Sequence, residues 1–188
     1  MTRYGAQFGP DITFLGVDRC DLDEPETYAD ADVVILGAPF DGGTSHRPGT
    51  RFGPQAIRMT DYLPHDGSRP SLALRVDGLQ DLRVVDAGDV EMYSGAIEVA
   101  LPALEAAVTK VVAAGAIPVI LGGDHSIAFP DAKGCANVLG HGRVSMIHFD
   151  AHADTGDIEF GSLWGHGQPM RRLIESGALR GDRFLQIG

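Results

Sequence analysis

Two carboxylates and an imidazole alternate along segment 150–154, which has the sequence DAHAD. The segment directly follows the apolar run 144–149, which is typical of a buried strand. In an extended backbone every second side chain lies on the same side, so Asp150, His152 and Asp154 are expected to converge at the end of that strand. Oxygen and nitrogen donors without a thiolate suit Mn, Zn or Fe. The pattern therefore favours a metal site over a solvated acidic turn.

A second signal of the same kind lies upstream, in segment 122–126, which has the sequence GGDHS. It follows another apolar run, 117–121, and its two glycines allow the backbone to turn sharply where the strand ends. If the two strands are parallel neighbours, His125 lies at the same edge of the sheet as Asp150. A histidine after a strand is usually structural, but its pairing with the acidic segment favours a metal ligand.

The chain alternates between strand-like and helix-like patterns. Continuous apolar runs indicate strands that are buried on both faces of a parallel sheet. Apolar residues at three- and four-residue steps predict helices over 97–111 and 168–176. Strand and helix alternation predicts an α/β layered domain, in which ligands bind beyond the carboxyl ends of the strands. The five predicted strands are 32–36, 82–85, 117–121, 144–149 and 184–187.

Composition narrows the classes of function. A chain of 188 residues is long enough for one domain with its own core. Its 26 acidic and 15 basic residues give a net charge of −11, which argues against a nucleic-acid partner and suits a cationic substrate. Cys20 and Cys135 are too few for a disulfide framework, and they predict a reduced, cytoplasmic protein. Residues 1–16 do not have the pattern of a signal peptide, and no apolar run predicts a membrane span.

Five segments together resemble the ureohydrolases, the family of arginase, agmatinase and related guanidino-acid hydrolases. The resemblance covers the chain from about Ala31 onward. The sequences of the matching segments are closer to agmatinase than to arginase. It implies a three-layer αβα fold with a mostly parallel sheet. Residues 1–30 would be an N-terminal arm, and residues 31–188 the N-terminal part of a single domain in a homotrimer or homohexamer. The matching segments are 38–58, 86–90, 122–126, 148–155 and 161–169.

The resemblance also implies a chemistry. Two Mn²⁺ ions would share a water and lower its pKa, and the substrate would be a small cationic guanidino compound. The expected reaction converts agmatine to putrescine and urea. The alternatives are a guanidinobutyrate or guanidinopropionate hydrolase, an arginase and a formimidoylglutamase. By resemblance, His125, Asp150 and Asp154 bind one ion, Asp150 and His152 bind the other, and His166 transfers protons or positions the substrate.

Three other features bear on the site. His148 shares its side of the strand with Asp150, but the family places no ligand there, so a buried and hydrogen-bonded histidine is expected. Asp86 and Asp89 are expected either to be structural or to support the metal ligands through hydrogen bonds. Gly156 stands where recognition of arginine in this family uses an asparagine, which predicts a preference for agmatine or another guanidino compound over arginine.

Two further parts of the family pattern have no counterpart in the 188 residues. They are an Asp-x-Asp-x-x-Asp-Pro segment that supplies further metal ligands and a C-terminal glutamate that binds the guanidinium. The chain is therefore interpreted as the N-terminal portion of a ureohydrolase, with the sheet incomplete at its C-terminus. By itself it is expected to be a metal-deficient and inactive fragment.

Overall fold

The computed structural model describes residues 12–60 and 71–188. Each of the five predicted strands is present, and β6 starts upstream of the predicted run. The strands are β1 (Asp18–Arg19), β2 (Val33–Ala38), β3 (Val84–Asp89), β4 (Ile117–Gly122), β5 (Val144–Phe149) and β6 (Leu179–Ile187). The helices are α1 (Gly53–Met59), α2 (Gly78–Asp81), α3 (Ile97–Ala113), α4 (Ala128–Leu139) and α5 (Pro169–Glu175).

Among the described residues, the strands form two parallel sheets rather than one. β1, β3, β2 and β4 are hydrogen-bonded in that order, and β5 pairs with β6 separately. The parallel direction and the alternation with helices confirm the predicted α/β class. The assumption that β4 and β5 are hydrogen-bonded neighbours is wrong, although both still point their carboxyl ends toward one region. Sheet order depends on long-range pairing, which a continuous apolar run does not encode.

The first core lies between the four-stranded sheet and α3. Leu104 and Val108 of α3 are fully buried against apolar side chains of β2 and β3. Helix α4 packs closely on α3, because a Cβ atom at Gly134 would lie 2.8 Å from the Val108 side chain. In the described ranges, no helix combines the length and apolarity that crossing a bilayer requires.

A second core covers β5 and β6. Met170 and Leu173 of α5 pack with Leu179 of β6 and with Phe129 of α4. The two cores meet along α3 and α4, so each sheet is covered by helices that also contact the other. The site-bearing ends of β4 and β5 therefore belong to different sheets in one packed domain.

The described part of the predicted N-terminal arm, 12–30, packs on the first core. Cys20, Leu22 and Tyr28 are buried there, and β1 pairs with β3. The Lys110 side chain of α3 donates to the Leu22 carbonyl oxygen and forms an ion pair with Asp23. This segment therefore contributes to the core of its own chain. The homotrimer or homohexamer stays a prediction.

A buried ion trio ties α1 to the end of β3. The Arg58 guanidinium forms ion pairs with Asp86 at 2.8 Å and with Asp89 at 2.5 Å, and all three side chains are almost inaccessible to solvent. Arg58 also donates to the Gly88 carbonyl oxygen. Asp86 and Asp89 are thus structural residues, which is one of the two roles expected from the sequence. Their partner Arg58 was not singled out from the sequence.

Candidate metal centre

Four side chains converge beyond the ends of β4 and β5. His125, His148, Asp150 and Asp154 each place one potential ligand atom within 4.8 Å of the others. The His125 Nε2 atom lies 3.1 Å from Asp154 Oδ2, and the His148 Nε2 atom lies 3.5 Å from Asp150 Oδ2. Atoms bound to one ion at about 2.0–2.2 Å are separated by distances of this order. The cluster therefore has the dimensions of a metal site.

A short 3₁₀ turn, His125–Ile127, presents His125 directly after β4. The buried Asp124 carboxylate fixes this turn by accepting hydrogen bonds from the Ser126 N–H at 2.7 Å and the Gly43 N–H at 2.8 Å. A carboxylate that accepts from two separate segments holds both in position. Asp124 therefore orients His125 without itself belonging to the cluster.

The acidic segment reaches the cluster by leaving the extended conformation. β5 ends at Phe149, and Asp154 adopts the left-handed region with φ 49°. Aspartate tolerates this conformation better than most residues, and such positions are frequent at functional sites. The Asp154 carbonyl oxygen accepts from the Met170 N–H at 3.1 Å, which ties the segment to α5.

His152 is the predicted ligand that the structure does not bring into the cluster. Its side chain is 81 % exposed, and its Nδ1 atom lies 3.1 Å from Asp150 Oδ1. Alternation along an extended strand does not apply to it, because β5 ends at Phe149. The Asp150 carboxylate thus has one oxygen beside His152 and the other beside the cluster.

His148 is buried, as expected, and its hydrogen bonds assign its tautomer. Gln186 Nε2 lies 3.2 Å from His148 Nδ1, and the same amide nitrogen donates to the His152 carbonyl oxygen. An amide donor makes Nδ1 an acceptor, so this network assigns the ring proton to Nε2. That Nε2–H faces His125 Nε2 at 3.0 Å. His148 therefore donates to the lone pair of His125 Nε2, and a metal ion bound at that nitrogen would replace this hydrogen bond. Asp150 Oδ2 and Asp154 Oδ2, at 3.5 and 3.6 Å from His148 Nε2, are the other acceptors within reach of its proton.

The electrostatics favour the ligating forms of these groups. Burial lowers the pKa of His125, which keeps its imidazole neutral near neutral pH. The His152 backbone N–H, which donates to Asp150 Oδ1, lowers the pKa of the Asp150 carboxyl. Neutral imidazole and ionised carboxylate are the forms that bind metal ions. This nitrogen and oxygen donor set fits Mn, Zn or Fe.

His166 lies across a cavity of about 630 Å³ that opens onto the cluster; His152, Asp154 and Gly156 also line it. The His166 Nε2 atom is 3.1 Å from Ser45 Oγ, and the His166 N–H donates to the Gly43 carbonyl oxygen at 2.9 Å. The structure thus brings the predicted catalytic histidine and two predicted metal ligands, His152 and Asp154, to one cavity. Ser45 was not singled out from the sequence, because a serine in a polar loop carries no distinctive signal.

The loop that carries Ser45 is held at its base by Asp41. Asp41 is buried, forms an ion pair with Arg51 and accepts from the Gly49 N–H at 2.6 Å. The hydrogen bond from Arg51 lowers the pKa of the Asp41 carboxyl. Asp41 therefore orders the rim loop rather than facing the cavity. His46, which lies in the same loop, is exposed.

Comparison with known families matches residues 31–188 to the arginase family. The chain belongs to the arginase family. Several of its relatives are named as hydrolases of guanidino compounds, and the α/β fold and the clustered histidines and aspartates agree with membership of the family.

Named relatives span several substrates. The chain is 40 % identical over 162 residues to a mitochondrial guanidino acid hydrolase of Homo sapiens. The aligned region covers 84 % of this chain and 43 % of the relative. It is 39 % identical over 157 residues to a mitochondrial agmatinase of Gallus gallus, covering 84 % of this chain and 45 % of the relative. The chain thus spans about half the length of the curated relatives that it matches.

Solved structures show the same fold. The proclavaminate amidinohydrolase of Streptomyces clavuligerus superposes with a TM-score of 0.82 at 31 % identity, over 96 % of this chain and 57 % of that chain. A formiminoglutamase of Trypanosoma cruzi, solved with Mn²⁺, superposes with a TM-score of 0.73 at 31 % identity, over 90 % of this chain and 57 % of that chain. These neighbours establish an arginase-type fold.

Proposed function

We propose that the protein of this chain is a manganese-dependent hydrolase that releases urea from a guanidino compound, with agmatine as the preferred substrate and putrescine as the second product. The observation that carries the proposal is the cluster of His125, Asp150 and Asp154, whose member Asp154 lines the same cavity as His166. Membership of the arginase family and a fold neighbour solved with Mn²⁺ support it.

The proposed chemistry divides between the metal and the chain. Bound divalent ions supply a water of lowered pKa and stabilise developing negative charge. The net reaction adds one water across a C–N bond of the guanidinium group and releases urea and the amine. In this proposal His166, which lines the cavity, passes a proton to the leaving nitrogen, and Ser45 Oγ orients its ring through the 3.1 Å contact. One water is consumed, and the proton of the guanidinium cation leaves with the amine.

A pair of ions, rather than one, is part of the proposal. Asp150 supports it, because its Oδ2 atom faces the cluster while its Oδ1 atom faces His152 Nδ1. A carboxylate whose two oxygens face different ligand groups is placed to bridge two ions. His152 would then bind the second ion from the exposed side.

This arrangement predicts a specific change in stoichiometry. His152→Ala is expected to lower bound Mn²⁺ from two ions to one per chain, because the first site keeps His125 and Asp154. The protein at its full natural length would be loaded with Mn²⁺, dialysed and measured by elemental analysis, with urea release recorded in parallel. The exposed His141→Ala is the matched control. Unchanged metal content and full activity in His152→Ala would contradict the two-ion assignment.

The substrate prediction rests on Gly156, which lines the cavity. Glycine has no side chain with which to bind the α-carboxylate of arginine. The value of kcat/KM for agmatine is therefore expected to exceed that for arginine by about tenfold or more. This factor corresponds to the loss of one or two charge-assisted hydrogen bonds. Urea release from agmatine, arginine, 4-guanidinobutyrate and 3-guanidinopropionate would be compared before and after chelation. A preference for arginine would contradict the substrate assignment, and undiminished turnover without metal would contradict the mechanism.

Assembly and location complete the proposal. The resemblance implies a homotrimer or homohexamer. Cys20 and Cys135, neither of which forms a disulfide, suit the reducing cytoplasm. Burial raises the pKa of each thiol to about 11, which makes either cysteine a poor nucleophile.

A further inference from the structure

We propose that Glu159 and Gln168 form the subsite for the tail of the substrate and select a tail that ends in a primary ammonium group. The inference rests on the proposed function and deepens it, because it assigns residues to the end of the substrate that does not react. It separates agmatine from the guanidino acids that several relatives are named for. Nothing in the metal cluster itself makes this distinction.

The turn 159–162 presents Glu159 at the cavity wall. Glu159 and Ser162 exchange both backbone hydrogen bonds, at 3.1 and 2.9 Å. The two residues between them, Phe160 and Gly161, have φ values of 50° and 80°, as a type I′ turn requires. Such a conformation is strained for phenylalanine, and strain of this kind persists where the surrounding structure enforces it. Glu159 is therefore held by a defined turn rather than by a loose loop.

The Glu159 side chain is half-buried and packs on backbone. A Cβ atom at Gly156 would lie 2.8 Å from Glu159 Oε1, and one at Gly167 would lie 2.9 Å from the same oxygen. A side chain at either position would require the Glu159 carboxylate to shift. Across the described segments, no Lys, Arg or His nitrogen forms an ion pair with Glu159. The half-buried Glu159 carboxylate can therefore form an ion pair with a cationic ligand in the cavity that it lines.

Gln168 supplies a second acceptor beside it. Gln168 is 1 % exposed, and its Nε2 atom donates to the Ser162 carbonyl oxygen at 3.2 Å. This bond orients the amide, and the Oε1 atom is buried with no hydrogen-bond partner among the described residues. A Cβ atom at Gly165 would lie 2.5 Å from this oxygen. A buried acceptor without a donor is costly, which points to a ligand that supplies the donor.

The two acceptors share one cavity. A space of about 170 Å³ is lined by Glu159, Gln168 and Gly165, and it shares Ser45 and Phe160 with the larger cavity at the metal cluster. A substrate whose guanidinium lies at the cluster can therefore extend its tail into the smaller space.

The chemistry of the smaller space selects a cation. An ammonium group has three N–H donors, and it would meet the Glu159 carboxylate and the Gln168 oxygen there. A carboxylate tail would meet the same acceptors without a donor to offer, and it would be repelled by Glu159. A tail that ends in a methyl group would leave both acceptors unsatisfied.

Three substrates of similar length test the inference in the Mn²⁺-loaded protein at its full natural length. Agmatine has an ammonium tail, pentylguanidine replaces the ammonium with methyl, and 4-guanidinobutyrate has a carboxylate. The wild type is expected to favour agmatine over both by at least about tenfold in kcat/KM, the value of a charge-assisted hydrogen bond. Glu159→Gln is expected to lower kcat/KM for agmatine by about tenfold and to change that for pentylguanidine by less than about threefold.

The matched control is Glu26→Gln, an exposed glutamate that removes the same charge away from either cavity. The control variant is expected to leave kcat/KM unchanged for both agmatine and pentylguanidine. Equal kcat/KM for agmatine and pentylguanidine in the wild type, or an equal loss for both in a folded Glu159→Gln variant, would overturn the inference while urea release still upheld the proposed function. If the variant does not fold, the wild-type comparison alone decides. Hydrolysis of none of the three compounds would overturn the proposed function together with the inference.

Discussion

Asp154→Asn is expected to weaken the binding of Mn²⁺ by more than a hundredfold and to abolish urea release. The Asp154 Oδ2 atom lies 3.1 Å from His125 Nε2, so its negative charge stands where an ion would be held. The substitution keeps the shape of the side chain and removes that charge. Loss of a partner in the outer layer of a metal site costs roughly 10- to 100-fold in affinity, and loss of a direct ligand is expected to cost more.

His148→Gln is the informative comparison. In the wild type the His148 Nε2 atom lies 3.0 Å from His125 Nε2 and is a donor in the assigned tautomer. The amide N–H of a glutamine can replace this donor. We expect Mn²⁺ affinity to fall by no more than roughly 100-fold, which is the loss typical for a residue that hydrogen-bonds to a metal ligand without binding the metal itself. Isothermal titration calorimetry and the electron paramagnetic resonance signal of bound Mn²⁺ measure the Mn²⁺ affinity of both variants independently of turnover. If His148→Gln loses as much affinity as Asp154→Asn, then His148 is itself a ligand and the assigned tautomer is wrong.

Arg58→Met is expected to destabilise the fold by about 3–5 kcal/mol, because it leaves two carboxylates buried without their cation. Arg58 pairs with Asp86 at 2.8 Å and with Asp89 at 2.5 Å, and the three side chains are at most 3 % exposed. Methionine is similar in length, so the change removes the charge more than the packing. Urea-induced unfolding followed by circular dichroism, with Trp164 fluorescence as a second probe, measures the loss.

Arg83→Met provides the matched control, since Arg83 pairs with Asp30 at 2.8 Å in an exposed setting. Ion pairs of this kind contribute about 0–1 kcal/mol, so the control is expected to unfold close to the wild type. Replacing Asp86 and Asp89 with asparagine in the Arg58→Met background is expected to recover part of the stability, because it removes the uncompensated charges. Equal losses for Arg58→Met and Arg83→Met would show that the buried trio is not a determinant of stability.

The location of the site could be predicted from the sequence because it depends on local patterns. Apolar runs that end in GGDHS and DAHAD place His125 and Asp150 at the carboxyl ends of two parallel strands, and the structure brings them together. The conformation after β5 was not predictable in the same way. Alternation predicted that His152 would share a face with Asp150 and Asp154, but the strand ends at Phe149. The left-handed turn at Asp154 depends on its tie to α5, which is a tertiary contact.

Long-range partners account for the rest of what the sequence did not show. The separation of β4 and β5 into two sheets is a matter of pairing, and both strands have the same apolar pattern. Arg58 lies in a helix where an arginine is normally solvated, and only the position of β3 makes it a buried cation. Gln168 and Ser45 are common loop residues that acquire a role from the cavity they line.

The position of the cluster between two strands has a consequence for stability. His125 follows β4, whereas Asp150 and Asp154 follow β5, and among the described residues these strands share no hydrogen-bonded ladder. An ion held by all three would be a noncovalent cross-link between segments that are distant in the sequence. Its binding energy would be added to the free energy of unfolding, by an amount that grows with the logarithm of the free metal concentration.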